Sequence, residues 1–154
     1  MDFDVDIIRK TVCPVEDGFL RVVVERTVAL AGRPSSISGG SVSVSIVLTD
    51  DEETRLFNRE HRDRDTTTDI LSFPSFEDGV FEADPDGTVP LGDLILSVPF
   101  VTRSAEEDGV SFGREFTYIL SHGVLHLLGY DHSETMFRIQ DTVTDSLAGG
   151  SGVE

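Results

Sequence analysis

A single cysteine, Cys13, leaves this 154-residue chain unable to form an internal disulfide. Isolated in this way, it is expected to serve as a small hydrophobe. Apolar residues make up 38% of the chain, and no apolar run approaches the roughly 20 residues needed to span a bilayer. The opening stretch MDFDVDIIRK has no basic flank ahead of an apolar segment, so no secretory signal is expected there. Lysine is almost missing, with Lys10 the only one. Twelve basic residues against 29 acidic ones give a net charge of −17. Such a field repels nucleic acid over most of a surface, so contact with phosphate would need a local exception. Together these absences predict a cytoplasmic protein with no membrane partner. The length fits one domain, expected over residues 1–147, followed by a disordered tail, AGGSGVE, at 148–154.

What is present reads as an α+β chain. Phe3–Ile8 alternates like a strand. Phe19–Ala31 mixes strand-favouring valines with helical spacing and is read as a helix, ending in a loop from Gly32 to Ser41. In SVSVSIVL, 41–48, Val42, Val44, Ile46 and Leu48 fall on one face and small serines on the other. Thr49 to Glu52 has the form of a capping box, predicting a helix to about His61. Thr67–Phe73 reads as a strand stopped by Pro74, 76–90 as an acidic surface loop, and Leu91–Ser97 as a strand. Pro99–Asp108, Phe112–Leu128 (capped by Ser111) and Ser133–Leu147 read as helices. The expected architecture is a mixed sheet of about four strands packed against helices.

Three of the four histidines lie in SHGVLHLLGYDH, 121–132. Residues four apart share a helix face, so His122 and His126 project side by side. Gly129 can end the helix with a positive φ and turn the chain so that His132 meets them. Three imidazoles suit one zinc ion and leave a fourth position for water, as in catalytic sites; other divalent metals are also compatible. The spacing H-x-x-x-H-x-x-G-x-x-H equals that of the metzincin proteases, whose glutamate general base occupies the place of Gly123 here. Leu125, Leu127 and Leu128 are read as core residues anchoring the helix.

The segment HGVLHLLGYDH resembles the signature of the YbeY family of endoribonucleases in ribosomal RNA maturation. LFNREHRDRDTTTDILSFP, 56–74, and LGDLIL, 91–96, resemble two further family segments, in the family's order. The resemblance implies a zincin-like α+β domain with one Zn2+ on His122, His126 and His132, and it carries Arg62 over as the functional arginine. It also implies single-stranded or precursor ribosomal RNA as substrate, ribosome quality control as the setting, and ribosomal subunit proteins as partners. Four departures stand out. His61 replaces an aromatic, Arg64 a lysine and Thr67 a proline, and the linker after His132 is short.

In such chemistry zinc polarises a phosphoryl oxygen and acidifies water, while arginine's planar fork holds phosphate. Asp131, the nearest carboxylate in sequence, is the candidate to orient a ligand or accept a proton; a turn or cap role is the plain alternative. Glu115, two turns before His122, is either an outer-sphere group or an exposed first-turn acid, and Tyr130 either a base-stacking or a structural aromatic. Asp69 and Asp93 fall in strand-like segments and are assigned no role beyond holding backbone or arginines. Arg55, Arg59 and Arg62 fall at helical spacing and form either a phosphate-binding face or internal pairs with neighbouring acids. Two rivals stand beside the endoribonuclease reading. One is a metalloprotease-like hydrolase with a nonstandard base. The other is a noncatalytic ribosome-assembly factor with a structural metal.

Overall fold

The β-branched alternation of the strands and the capped amphipathic helices resolve, in a computed structural model, into the order β1(Asp2–Arg9) α1(Asp17–Ala31) β2(Ser41–Thr49) α2(Asp51–Arg62) β3(Ile70–Pro74) β4(Thr88–Ser97) α3(Val98–Asp108) α4(Phe112–Leu127) α5(Glu134–Leu147). The structure describes residues 2–32, 40–76 and 81–147, so the expected tail at 148–154 lies outside the described residues. One four-stranded sheet runs β1-β2-β4-β3. β1, β2 and β4 are parallel, and β3 pairs antiparallel with β4 as an edge strand. Val42, Val44, Ile46 and Leu48 are buried, as their alternation predicts, and join the valines of α1 and the leucines of α4 in one core.

The ambiguous valine-rich segment is helical, and Gly32 closes α1 at φ 66°. Its Leu20, Val23 and Val24 are fully buried, so packing outweighs the strand propensity of valine. Several boundaries shift by one or two residues, and three differences have a tertiary cause. The cap of α2 is Asp50, whose carboxylate accepts from the Glu53 amide at 3.0 Å, one residue beyond the expected Thr49; Thr49 is buried at the end of β2. β3 begins at Ile70 because residues 63–69 cross back over α2, where Asn58 Nδ2 donates to the Thr66 carbonyl. β4 begins at Thr88, inside the expected loop. There the register shifts by one residue: Ser43 faces Pro90 and Val44 faces Gly92, so Leu91 is the extra residue of a bulge. Proline has no amide for the ladder, and Gly92 adopts φ 138° beside the Phe73 carbonyl, where a Cβ would collide with backbone.

Asp51 ties α2 to its surroundings. Its carboxylate accepts from Thr67 and Ser97 hydroxyls at 3.0 and 2.8 Å and from both terminal nitrogens of Arg103. The Arg103 bonds, with help from the two hydroxyls, hold the Asp51 carboxyl below its ordinary pKa. Thr67, standing where the resembling family has proline, is therefore a working strut. Replacing Asp51 by Ala strands the fully buried Ser97 hydroxyl. That substitution should cost about 1–3 kcal/mol in equilibrium urea unfolding. A midpoint and slope equal to wild type would show that the network carries no stability.

Candidate metal centre

Helix α4 places His122 and His126 on one face at its C-terminal end. The helix ends as the Gly129 reading requires. Gly129 has φ 93°, its amide donates to the His126 carbonyl, and the Tyr130 amide donates back to Leu125. This pair of bonds is the Schellman arrangement, and it turns the chain so that His132 returns to the other two rings. Ring centroids are 4.4 Å apart for His122 and His126, and 5.2 Å from each of these to His132. One nitrogen from each ring lies within 4.8 Å of the others, so the trio can hold a metal ion. His132 is exposed and stacks on Phe137 of α5, which the short linker brings alongside.

The ring nitrogens test whether a metal fits. His126 Nδ1 lies 3.0 Å from the Tyr130 carbonyl, which can only accept, so that nitrogen carries a proton. His122 Nδ1 lies 3.1 Å from Gln140 Oε1, another acceptor. In the neutral rings both Nε2 atoms are therefore lone pairs, and they face each other at 2.9 Å. Two acceptors that close repel unless a cation sits between them. Burial, then the neighbouring His122, lowers the pKa of His126, which disfavours a shared proton. Three neutral imidazoles without an oxygen-rich cage fit a borderline divalent metal better than calcium or magnesium.

A cleft of about 580 Å³ opens over the trio, walled by Ile70 and Ser72 of β3, by Arg62 and by Asp131. Arg62 ends α2, donates from Nη2 to the Ser72 carbonyl and lies 5.3 Å from the centre of the Phe73 ring. Among the described residues it makes no ion pair with a carboxylate. Arg55 and Arg59, by contrast, turn to Asp65 at 2.8 and 4.0 Å, so internal pairing accounts for two of the three helix-spaced arginines. His61, in the family's aromatic position, stacks on Phe57 and meets Phe73 edge-on, keeping an aromatic role beside Arg62.

The remaining candidates divide. Asp131 is exposed at the cleft, and its charge favours protonated His126. Asp69 also lines the cleft, but its carboxylate accepts from the Ile70 amide at 2.6 Å and from Thr68. Tyr130 is buried, with its hydroxyl donating to the Ala31 carbonyl, so it is a structural aromatic. Asp93 is exposed in a separate shallow groove with Asp4 and Asp6. Glu115 is half-buried and raised to about 7, chiefly by burial and then by Asp108 and Asp69. Gln140 is absent from the sequence reading. A glutamine on an amphipathic helix carries no local signal, and only the packing of α5 on α4 brings it to His122. At Gly123 a Cβ would meet Ile70 and, at 3.0 Å, Leu94. The place of the metzincin base therefore faces side chains of the sheet.

The class so defined is an α+β fold with three histidines, on a helix and its C-terminal turn, that can hold a metal ion. The sequence comparisons narrow this class. The family model described as Endoribonuclease YbeY matches residues 9–148, and the chain belongs to that family. An Endoribonuclease YbeY of a Sulfurihydrogenibium species is 38% identical over 84% of this chain and 82% of its own length. One of Symbiobacterium thermophilum is 40% identical over 84% and 83%. A solution structure of a Thermotoga maritima protein superposes with a TM-score of 0.62 at 25% identity, covering 94% of this chain and 89% of that one.

Two outcomes follow from this packing. The folded pKa of Glu115 lies above its ordinary 4.5, so unfolding releases a proton between pH 4.5 and about 7. Wild type should lose stability relative to Glu115→Gln as pH rises through that window, a gap read from thermal melts at pH 5 and 8. A gap independent of pH would contradict the buried, proton-holding carboxyl. Gly123→Ala should cost about 1–3 kcal/mol in urea unfolding through overpacking against Ile70 and Leu94; an unchanged midpoint would show that β3 yields freely.

Proposed function

We propose that the protein is a zinc-dependent endoribonuclease that cleaves single-stranded regions of precursor ribosomal RNA, in ribosome maturation and quality control in the cytoplasm. The observation that carries this reading is the pairing of a three-imidazole centre with a carboxylate-free arginine across one cleft. His122, His126 and His132 would hold the metal. When bound, the metal supplies Lewis acidity toward a phosphoryl oxygen and acidifies a water ligand.

The other tasks fall to the chain itself. Ser72 and Phe73 hold the Arg62 guanidinium at the rim, leaving further N–H groups for a phosphate. Its charge persists at any working pH, and it opposes the acidic field where the substrate must enter. Asp131 stands exposed beside His132, able to take a proton from the nucleophile. Family membership favours RNA over peptide as substrate, and two features of the cleft agree with it. A side chain at position 123 would first have to displace Ile70 and Leu94. The edge strand has its Ser72 carbonyl and Ile70 amide already engaged and lacks an amide at Pro74, which weakens it as a template for an extended peptide.

The test uses wild type, Arg62→Ala and His126→Ala purified identically. Each is incubated with single-stranded RNA, duplex RNA and a peptide, with and without chelator, and assayed for bound metal. Arg62→Ala should keep its metal and lose roughly 10²-fold in RNA cleavage, while His126→Ala loses both. Cleavage of peptide alone, full RNA cleavage by Arg62→Ala, or identical residual cleavage in all three proteins would overturn the proposal.

A further inference from the structure

Gln140 is fully buried on α5, yet both ends of its amide are engaged with α4. Nε2 donates to the Tyr118 carbonyl at 3.4 Å, and Oε1 lies 3.1 Å from His122 Nδ1. The polarity of this chain runs one way. A backbone carbonyl can only accept, so the NH2 end must face Tyr118. Flipping the amide would set oxygen against oxygen there. The oxygen end therefore faces His122, which must place its proton on Nδ1 and keep the Nε2 lone pair toward His126. For His126 the same result comes directly from the Tyr130 carbonyl.

We propose that Gln140 is a positioning residue that locks His122 in the Nδ1–H tautomer, committing Nε2 to the metal while adding no charge. An amide serves both partners at once, offering a donor to Tyr118 and an acceptor to His122. A carboxylate would satisfy His122 but turn an oxygen toward Tyr118, and it would make the ring a more basic ligand. An apolar side chain would leave both partners stranded in a dry site. In a chain of net charge −17, a neutral partner also keeps the centre free of a further negative group.

This rests on the three imidazoles being metal ligands, and two readouts keep the claims separate. The first is the tautomer of His122 in metal-free protein, from long-range 15N correlation spectra near pH 8. Wild type should show a protonated Nδ1 and a bare Nε2, and Gln140→Leu a mixture of the two tautomers. An Nε2-protonated ring in wild type would overturn the proposal without any variant. The second readout is Zn2+ affinity by chelator competition. Gln140→Leu should bind 10- to 100-fold more weakly, and Gln140→Glu, which still accepts the Nδ1 proton, should recover to within about threefold of wild type. Equal affinity in Gln140→Leu and wild type, or equal weakness in the Leu and Glu variants, would overturn it. Wild type failing to bind Zn2+ would instead overturn the metal reading, while the metal-free spectra still judge Gln140 alone.

Discussion

Two imidazole lone pairs held 2.9 Å apart are the constraint on which the rest of the molecule depends. Left alone they repel, and each is kept in place by a proton committed to a fixed oxygen on the far side of its ring. The oxygens are fixed because α4 ends in a glycine-closed turn and because α5 packs against α4. The centre is thus arranged to receive a cation. The helix, its terminal turn and the final helix each supply part of that arrangement.

The net charge of −17 works against a phosphate substrate, and the cleft opposes it at one rim. Several arginines are neutralised locally, as Arg55 is by Asp65 and Arg103 by Asp51. Arg62 escapes because its partners are a backbone carbonyl and an aromatic ring, neither of which cancels its charge. A strongly acidic protein can in this way offer a positive point beside a three-histidine cluster. The decisive quantity is the local potential rather than the sum over the chain.

Close packing sets the chemistry that is allowed. Gly92 lets the β4 bulge pass the Phe73 carbonyl, and Gly123 lets α4 lie against Ile70. With both approaches made, β3 becomes the wall of the cleft. The histidine spacing is shared with proteases, but the residue at the protease's glutamate position is here a glycine set against Ile70 and Leu94. The same histidine spacing thus sits in different surroundings.

Much of this was legible in the order of residues. Helical spacing paired His122 with His126, Gly129 announced the turn to His132, and serine–valine alternation marked β2, because these signals depend on neighbours within a few positions. Cap and strand limits slipped where tertiary contacts compete with local ones. Asp50 rather than Thr49 caps α2 because Thr49 is drawn into the sheet, and β4 runs through Pro90 because a bulge absorbs the missing amide. The division of the arginines, the tautomer of His122, the raised pKa of Glu115 and the packing at position 123 belong to the tertiary structure alone. Each is decided by burial or by a group on another element or turn, and no pattern along the chain encodes either.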